Sequence, residues 1–139
     1  MKHAVLVFIS LVALSGCMSL KDRVLDNNPE QSQLQKRSYQ SRVFEISDKQ
    51  KTLRAVIATM QDLGFVIDRA DATLGSISGT KLDSYSLKMT VSVTPRGKNQ
   101  MLVRANATYN ATPVEDPKAY QEFFASLSKS LFLQAQEIN

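Results

Sequence analysis

Apolar and polar positions follow two different periods along the chain. Tyr85, Leu87, Met89, Val91 and Val93 alternate with Ser86, Lys88, Thr90, Ser92 and Thr94. Met101, Val103, Ala105, Ala107 and Tyr109 alternate in the same way with Leu102, Arg104, Asn106, Thr108 and Asn110. A period of two places one face of each segment in a core and the other in water, which predicts two antiparallel strands. The run from Pro95 to Asn99 turns the chain between them and makes the pair a hairpin. Shorter strands are predicted over Ser38–Ile46, with Phe44 and Ile46 on one face, over Phe65–Arg69 and over Ser76–Lys81. The last two are separated by the turn Asp71-Ala72-Thr73-Leu74-Gly75.

The other period is helical. Leu53, Val56, Ile57, Met60 and Leu63 recur at helix spacing after Ser47, which resembles an N-cap with Gln50 three residues on in a capping-box position. Asp48 favours the first turn, and Gly64 supplies the left-handed residue that ends the helix. A second helix is predicted from Asp116 as N-cap and Pro117 as first helical residue. Tyr120, Phe123, Phe124, Leu127, Leu131, Ala135 and Ile138 share its stripe, with Ser126 and Lys129 opposite. Phe132 and Leu133 fall about 100° and 140° off that stripe. The plainer expectation is that the sheet curls around the helix end and buries both; otherwise they form a partner surface.

These elements predict an α+β fold: a two-layer domain with an antiparallel sheet of about five strands and two helices on one face, in the order βαββββα. The segment ahead of it, residues 17–36, is polar, rich in Asn and Gln and broken by Pro29, and reads as a tether spanning on the order of 25 Å. The folded domain is then residues 37–139. No internal repeat or low-complexity tract is visible.

Composition narrows the chemistry. Residues 1–16 order a basic Lys2, an apolar run from Ala4 to Ala13 and a small-residue cleavage site, as a signal peptide does. The run is too short to span a bilayer as a helix. Removing it removes His3, the only histidine, and leaves 16 basic and 13 acidic side chains over about 120 residues, enough for one core. Histidine-based triads and His/Cys metal sites are thereby excluded from the mature chain. The modest positive charge lacks the clustering of a nucleic-acid binder, so no nucleic acid partner is expected, and no cofactor.

The tetrapeptide Leu14-Ser15-Gly16-Cys17, with Cys17 the sole cysteine, resembles the lipobox of bacterial lipoproteins. The resemblance implies cleavage before Cys17 and a diacylglycerol and an N-acyl chain on that residue, an anchor of several chains that is effectively permanent. Met18, where an Asp would imply inner-membrane retention, implies the outer membrane, with the domain on its periplasmic face. The alternative is an ordinary signal peptide with an incidental cysteine, or a short membrane anchor. The segment Leu63-Gly64-Phe65-Val66-Ile67 passing into Leu74-Gly75-Ser76-Ile77 resembles small bacterial lipoproteins whose helix ends in a leucine, glycine, phenylalanine turn. Tyr120-Gln121-Glu122-Phe123-Phe124 with Ser130-Leu131-Phe132-Leu133 is similar to their closing helix. The element order also resembles, at the level of fold, the helix-grip domains of the C lipoprotein of the outer-membrane β-barrel assembly machinery. These families imply a tethered periplasmic domain without an assigned activity, and fold does not settle function.

Other candidates carry less. Asp62, Asp68, Asp71 and Asp83 are close in sequence, but their contexts are helix end and turn, so catalysis by a carboxylate pair is not expected. Lys88 and Arg104 lie on the polar sheet face, where an anion or glycan could make contact, against the plainer reading of a solvated face that resists aggregation. Asn106-Ala107-Thr108 and Asn110-Ala111-Thr112 match a glycosylation sequon and are read as exposed strand residues. Three functions follow: a non-enzymatic binding or scaffold component of an envelope complex, with an envelope protein as partner; a binder of a small apolar or lipid ligand in a helix–sheet groove lined by residues such as Met89, Met101 and Phe124; and, least supported, an envelope hydrolase.

Overall fold

The computed structural model describes residues 29–82 and 86–136, with side chains from residue 32 onward. The signal peptide, Cys17 and the tether as far as residue 28 lie outside the described residues, as do Asp83, Tyr85 and Ile138. Two layers form an α+β domain in which α1 (Pro29–Gln40), α2 (Lys49–Asp62) and α3 (Pro117–Gln136) accompany an antiparallel sheet. Its strands are β1 (Ser41–Phe44), β2 (Val66–Asp71), β3 (Ser76–Leu82), β4 (Ser86–Arg96), β5 (Gln100–Tyr109) and a two-residue β6 (Thr112–Pro113). The spatial order is β1-β5-β4-β3-β2, with β6 also paired to β5, so α2 carries the chain from one sheet edge to the other.

The two period-two segments behave as their pattern dictates. Met89, Val91 and Val93 face Ala107, Ala105 and Val103 in register, and all six are buried. Pro95 and Arg96 remain in the ladder, opposite Met101 and Gln100, so the turn narrows to Gly97–Asn99, with Gly97 at φ +65°. On the helix side Leu53, Val56 and Met60 from α2 and Tyr120, Phe123, Phe124, Leu127 and Leu131 from α3 complete one contiguous core. The cap of α2 is Asp48 rather than Ser47: its carboxylate Oδ1 accepts from the Lys51 amide at 2.9 Å. Both residue types cap well, so the local sequence does not choose between them. The Asp116 cap of α3 is present through the Lys118 amide, at 2.9 Å.

The tether and first strand need correction. Residues 29–36 are helical, the helix continues to Gln40, and the strand predicted from Ser38 begins only at Ser41. Gln, Lys, Arg and Leu are good helix formers and Pro29 occupies the first helical position, so composition favoured a helix although no apolar stripe marked it. Asn110 and Ala111, read as strand, form a two-residue turn at φ 44° and 71° between β5 and β6.

Tertiary contacts hold α1 in place. The Tyr39 ring tilts against Tyr120 at 5.5 Å, and Lys36 pairs with Glu115. The hydrogen bond to Glu115 holds the Lys36 ammonium above its ordinary 10.5, and burial raises the Tyr39 phenol above 10.0. Each group binds its proton more tightly when folded. The stability this confers is complete below those ordinary values and is lost as pH rises through the raised ones. Thermal melts are therefore expected to show a loss that sets in only above about pH 10 and is smaller in Lys36→Met; an equal loss in both would remove Lys36 from the account.

Candidate functional site

Helix α3 buries one side and presents the other. Phe123 and Phe124 meet edge-on at 5.2 Å inside the core, and the Arg42 guanidinium of β1 lies 5.1 Å from the centre of the Phe124 ring. Phe132 and Leu133 turn away: they are 63% and 48% exposed. The sheet does not curl around the helix end, because its strands on that side are already covered by α2, which packs along α3. Ala135, placed on the stripe by spacing, is also exposed, so burial stops at Leu131. Lys129, one helical turn before, is exposed too, and Lys51 of α2 donates to the Gln134 carbonyl at 3.4 Å. An adjacent aromatic and leucine in water, with the Lys129 ammonium a turn before them on the same helix, form an exposed apolar pair beside a cation.

The opposite side of the sheet is open and hydroxyl-rich. Ser76, Ser78 and Thr80 on β3, Thr90 and Ser92 on β4 and Thr108 on β5 cover it, half-buried against one another. Lys88 and Arg104 are both exposed there, but they do not form one anion contact. Lys88 stands opposite Thr108 and Arg104 opposite Ser92, with the Thr90–Asn106 pair between. Four residues along a strand separate their backbones by about 13 Å.

The carboxylates are occupied structurally. Asp68 accepts from the Thr80 hydroxyl at 2.7 Å, and Asp71 accepts from the Leu74 amide at 2.9 Å with Arg69 at 3.7 Å. Asp62 ends α2. Among the described residues no three His, Cys, Asp or Glu side chains gather where they could hold a metal ion, and no helix is long and apolar enough to cross a membrane. Met89, Met101 and Phe124, named for an apolar ligand cavity, are packed core residues.

Two features carried no sequence signal. One is the buried Tyr120 hydroxyl, which donates to the Val114 carbonyl at 2.7 Å and accepts from the Ala107 amide and Gln40 Nε2, both at 3.2 Å. It closes the edge of β5 beyond the reach of β1, whose last partner there is Arg104. Its stripe position spoke only for burial. The other is a cleft of about 110 Å³ between α2 and β2, which depends on where the helix stops covering the sheet. No protein-family model and no curated protein matches the chain, so the functional reading rests on these residues.

Proposed function

We propose that the chain is a lipoprotein anchored through Cys17 at the periplasmic face of the outer membrane, and that its domain acts without catalysis as a binding or scaffold component of an envelope complex. The anchor reading rests on Leu14-Ser15-Gly16-Cys17 behind the apolar run. The binding reading rests on one observation above all, the exposure of Phe132 and Leu133 side by side on α3. The path of α1 sets the start of the described chain apart from this pair. Going back along α1, Gln40 meets Tyr120 and Lys36 meets Glu115, so the helix start lies off the first turn of α3. The start of the described chain at Pro29 and the Phe132–Leu133 end of α3 are therefore well apart. From Cys17 to Pro29 the backbone reaches at most about 40 Å, which keeps the domain within that distance of its anchor.

Cys17→Ser is expected to yield an unprocessed or soluble periplasmic species; a variant that still fractionates with outer membrane and resists salt extraction would end the anchor reading. Phe132→Ser and Leu133→Ser are each expected to change stability by less than about 0.5 kcal/mol, as surface substitutions do, while abolishing a complex captured by crosslinking in intact envelopes. Crosslinks that persist in both variants would remove this surface.

A further inference from the structure

The helix layer leaves part of the sheet's core face uncovered at one edge. Strand β2 is an edge strand, with no neighbour beyond it among the described residues. Ala70 pairs with Ile77, so both point to the helix side, yet Ile77 is 1% exposed while Ala70 is open to water. The cleft of about 110 Å³ lies between this edge and α2. Leu53, Ile57 and Ile77 form its floor, and Gln50, Arg54 and Asp71 its rim. Nearby, Lys49 Nζ donates to the Thr73 carbonyl at 3.0 Å and ties the start of α2 to the β2–β3 turn.

We propose that this groove receives an extended peptide segment of a partner protein, which adds a strand to β2 along Arg69–Asp71, places one aliphatic side chain in the cleft and sets a carboxylate against Arg54. The outward amide and carbonyl groups of an edge strand are satisfied by an added strand, and pockets for its alternate side chains supply specificity. The volume selects the occupant: sites for small organic ligands run to about 300–1,000 Å³, whereas this cleft suits a single valine or leucine side chain. Charge selects the neighbour. Arg54 is exposed and makes no ion pair among the described residues, whereas Asp71 is already engaged by Leu74 and Arg69. The free rim charge is therefore a cation. The register of β2 slips between Ile67 and Arg69, where Asp68 is held by Thr80, and this bulge divides the strand. The three residues beside the cleft form an uninterrupted edge of their own, with Val66 and Ile67 paired again beyond the bulge.

The groove requires neither Cys17 nor the Phe132–Leu133 patch, so failure of either reading leaves the other standing. The full chain, purified in detergent, is used to select binders from a displayed library of random heptapeptides, and the selected peptides are synthesised and titrated. They are expected to carry an aliphatic and an acidic residue two positions apart, on one side of a strand. Their addition should slow hydrogen exchange at the amide within residues 69–71 that faces away from β3. Ala70→Trp, which plugs the cleft, and Arg54→Glu, which reverses the rim charge, should each weaken binding about tenfold or more, and Arg54→Lys should restore most of the loss. Both positions are exposed, and unchanged thermal melts verify that the variants fold. A library that returns no binder, binders indifferent to both substitutions, or protection elsewhere in the sheet would overturn the proposal. So would a dimer in light scattering that Ala70→Trp dissociates, which would make a second copy of this chain the occupant.

Discussion

Gly75→Val is expected to lower stability by about 3 kcal/mol or more and to loosen the turn between β2 and β3. Gly75 sits at φ +72°, and a Cβ built there would lie 2.3 Å from the Val93 carbonyl oxygen and 2.8 Å from the Lys49 side chain. The lysine can move; the carbonyl cannot, because the same two residues are joined by the Val93 amide donating to the Gly75 carbonyl at 2.7 Å. That bond ties the turn to β4, so the substitution sets a strained backbone against a fixed neighbour. Gly64 provides the comparison. It ends α2 at φ +88°, but a Cβ there meets only the Lys81 side chain, at 3.4 Å. Gly64→Val should therefore cost little more than the conformational penalty, somewhat over 1 kcal/mol, about what Gly97 would show with nothing within 4 Å. Urea melts of the three variants test the ranking, and equal losses would show that the close approach at Gly75 carries no weight.

The second large effect is expected at Tyr120. Tyr120→Ala should cost about 3–5 kcal/mol, because it removes a fully buried ring from between α1 and the core. Tyr120→Phe keeps the ring and removes only the hydroxyl, leaving the Ala107 amide and the Val114 carbonyl without that partner. Its expected cost is about 1–3 kcal/mol, the range for a buried polar group left unsatisfied. A Phe variant as stable as the parent would mean that water replaces the hydroxyl at the β5 edge. Because Gln40 also donates to this oxygen, the Phe variant should loosen α1 as well. Loss of helical signal at temperatures where the sheet persists would register that.

Most of the layer architecture follows from local pattern. The alternation from Leu87 to Val93 and from Met101 to Ala107 reappears as buried and wet faces because a strand's side chains must point alternately, whatever it packs against. The stripe from Tyr120 to Leu131 and the helix end at Gly64 were legible for the same kind of reason: period and backbone freedom act over a few residues. Helix α1 was missed although its residues favour helix, since only Leu34 and Tyr39 are apolar there and its docking depends on Tyr120 and Glu115, far along the chain. Lys88 and Arg104 share a face by parity alone, but the hairpin register sets them two rows apart.

What the sequence by itself determined is therefore the α+β class, the faces of the long strands, the two large helices and the exclusion of histidine chemistry beyond residue 16, all set by neighbours in the chain or by composition. Only the tertiary structure decided that Phe132 and Leu133 stay in water, that the Tyr120 hydroxyl seals an edge of β5, and that α2 stops short of Ala70 to leave a groove beside β2. Each of these depends on how far one element extends over another. That overlap is set by the packing of side chains distant in sequence, and no local period records it.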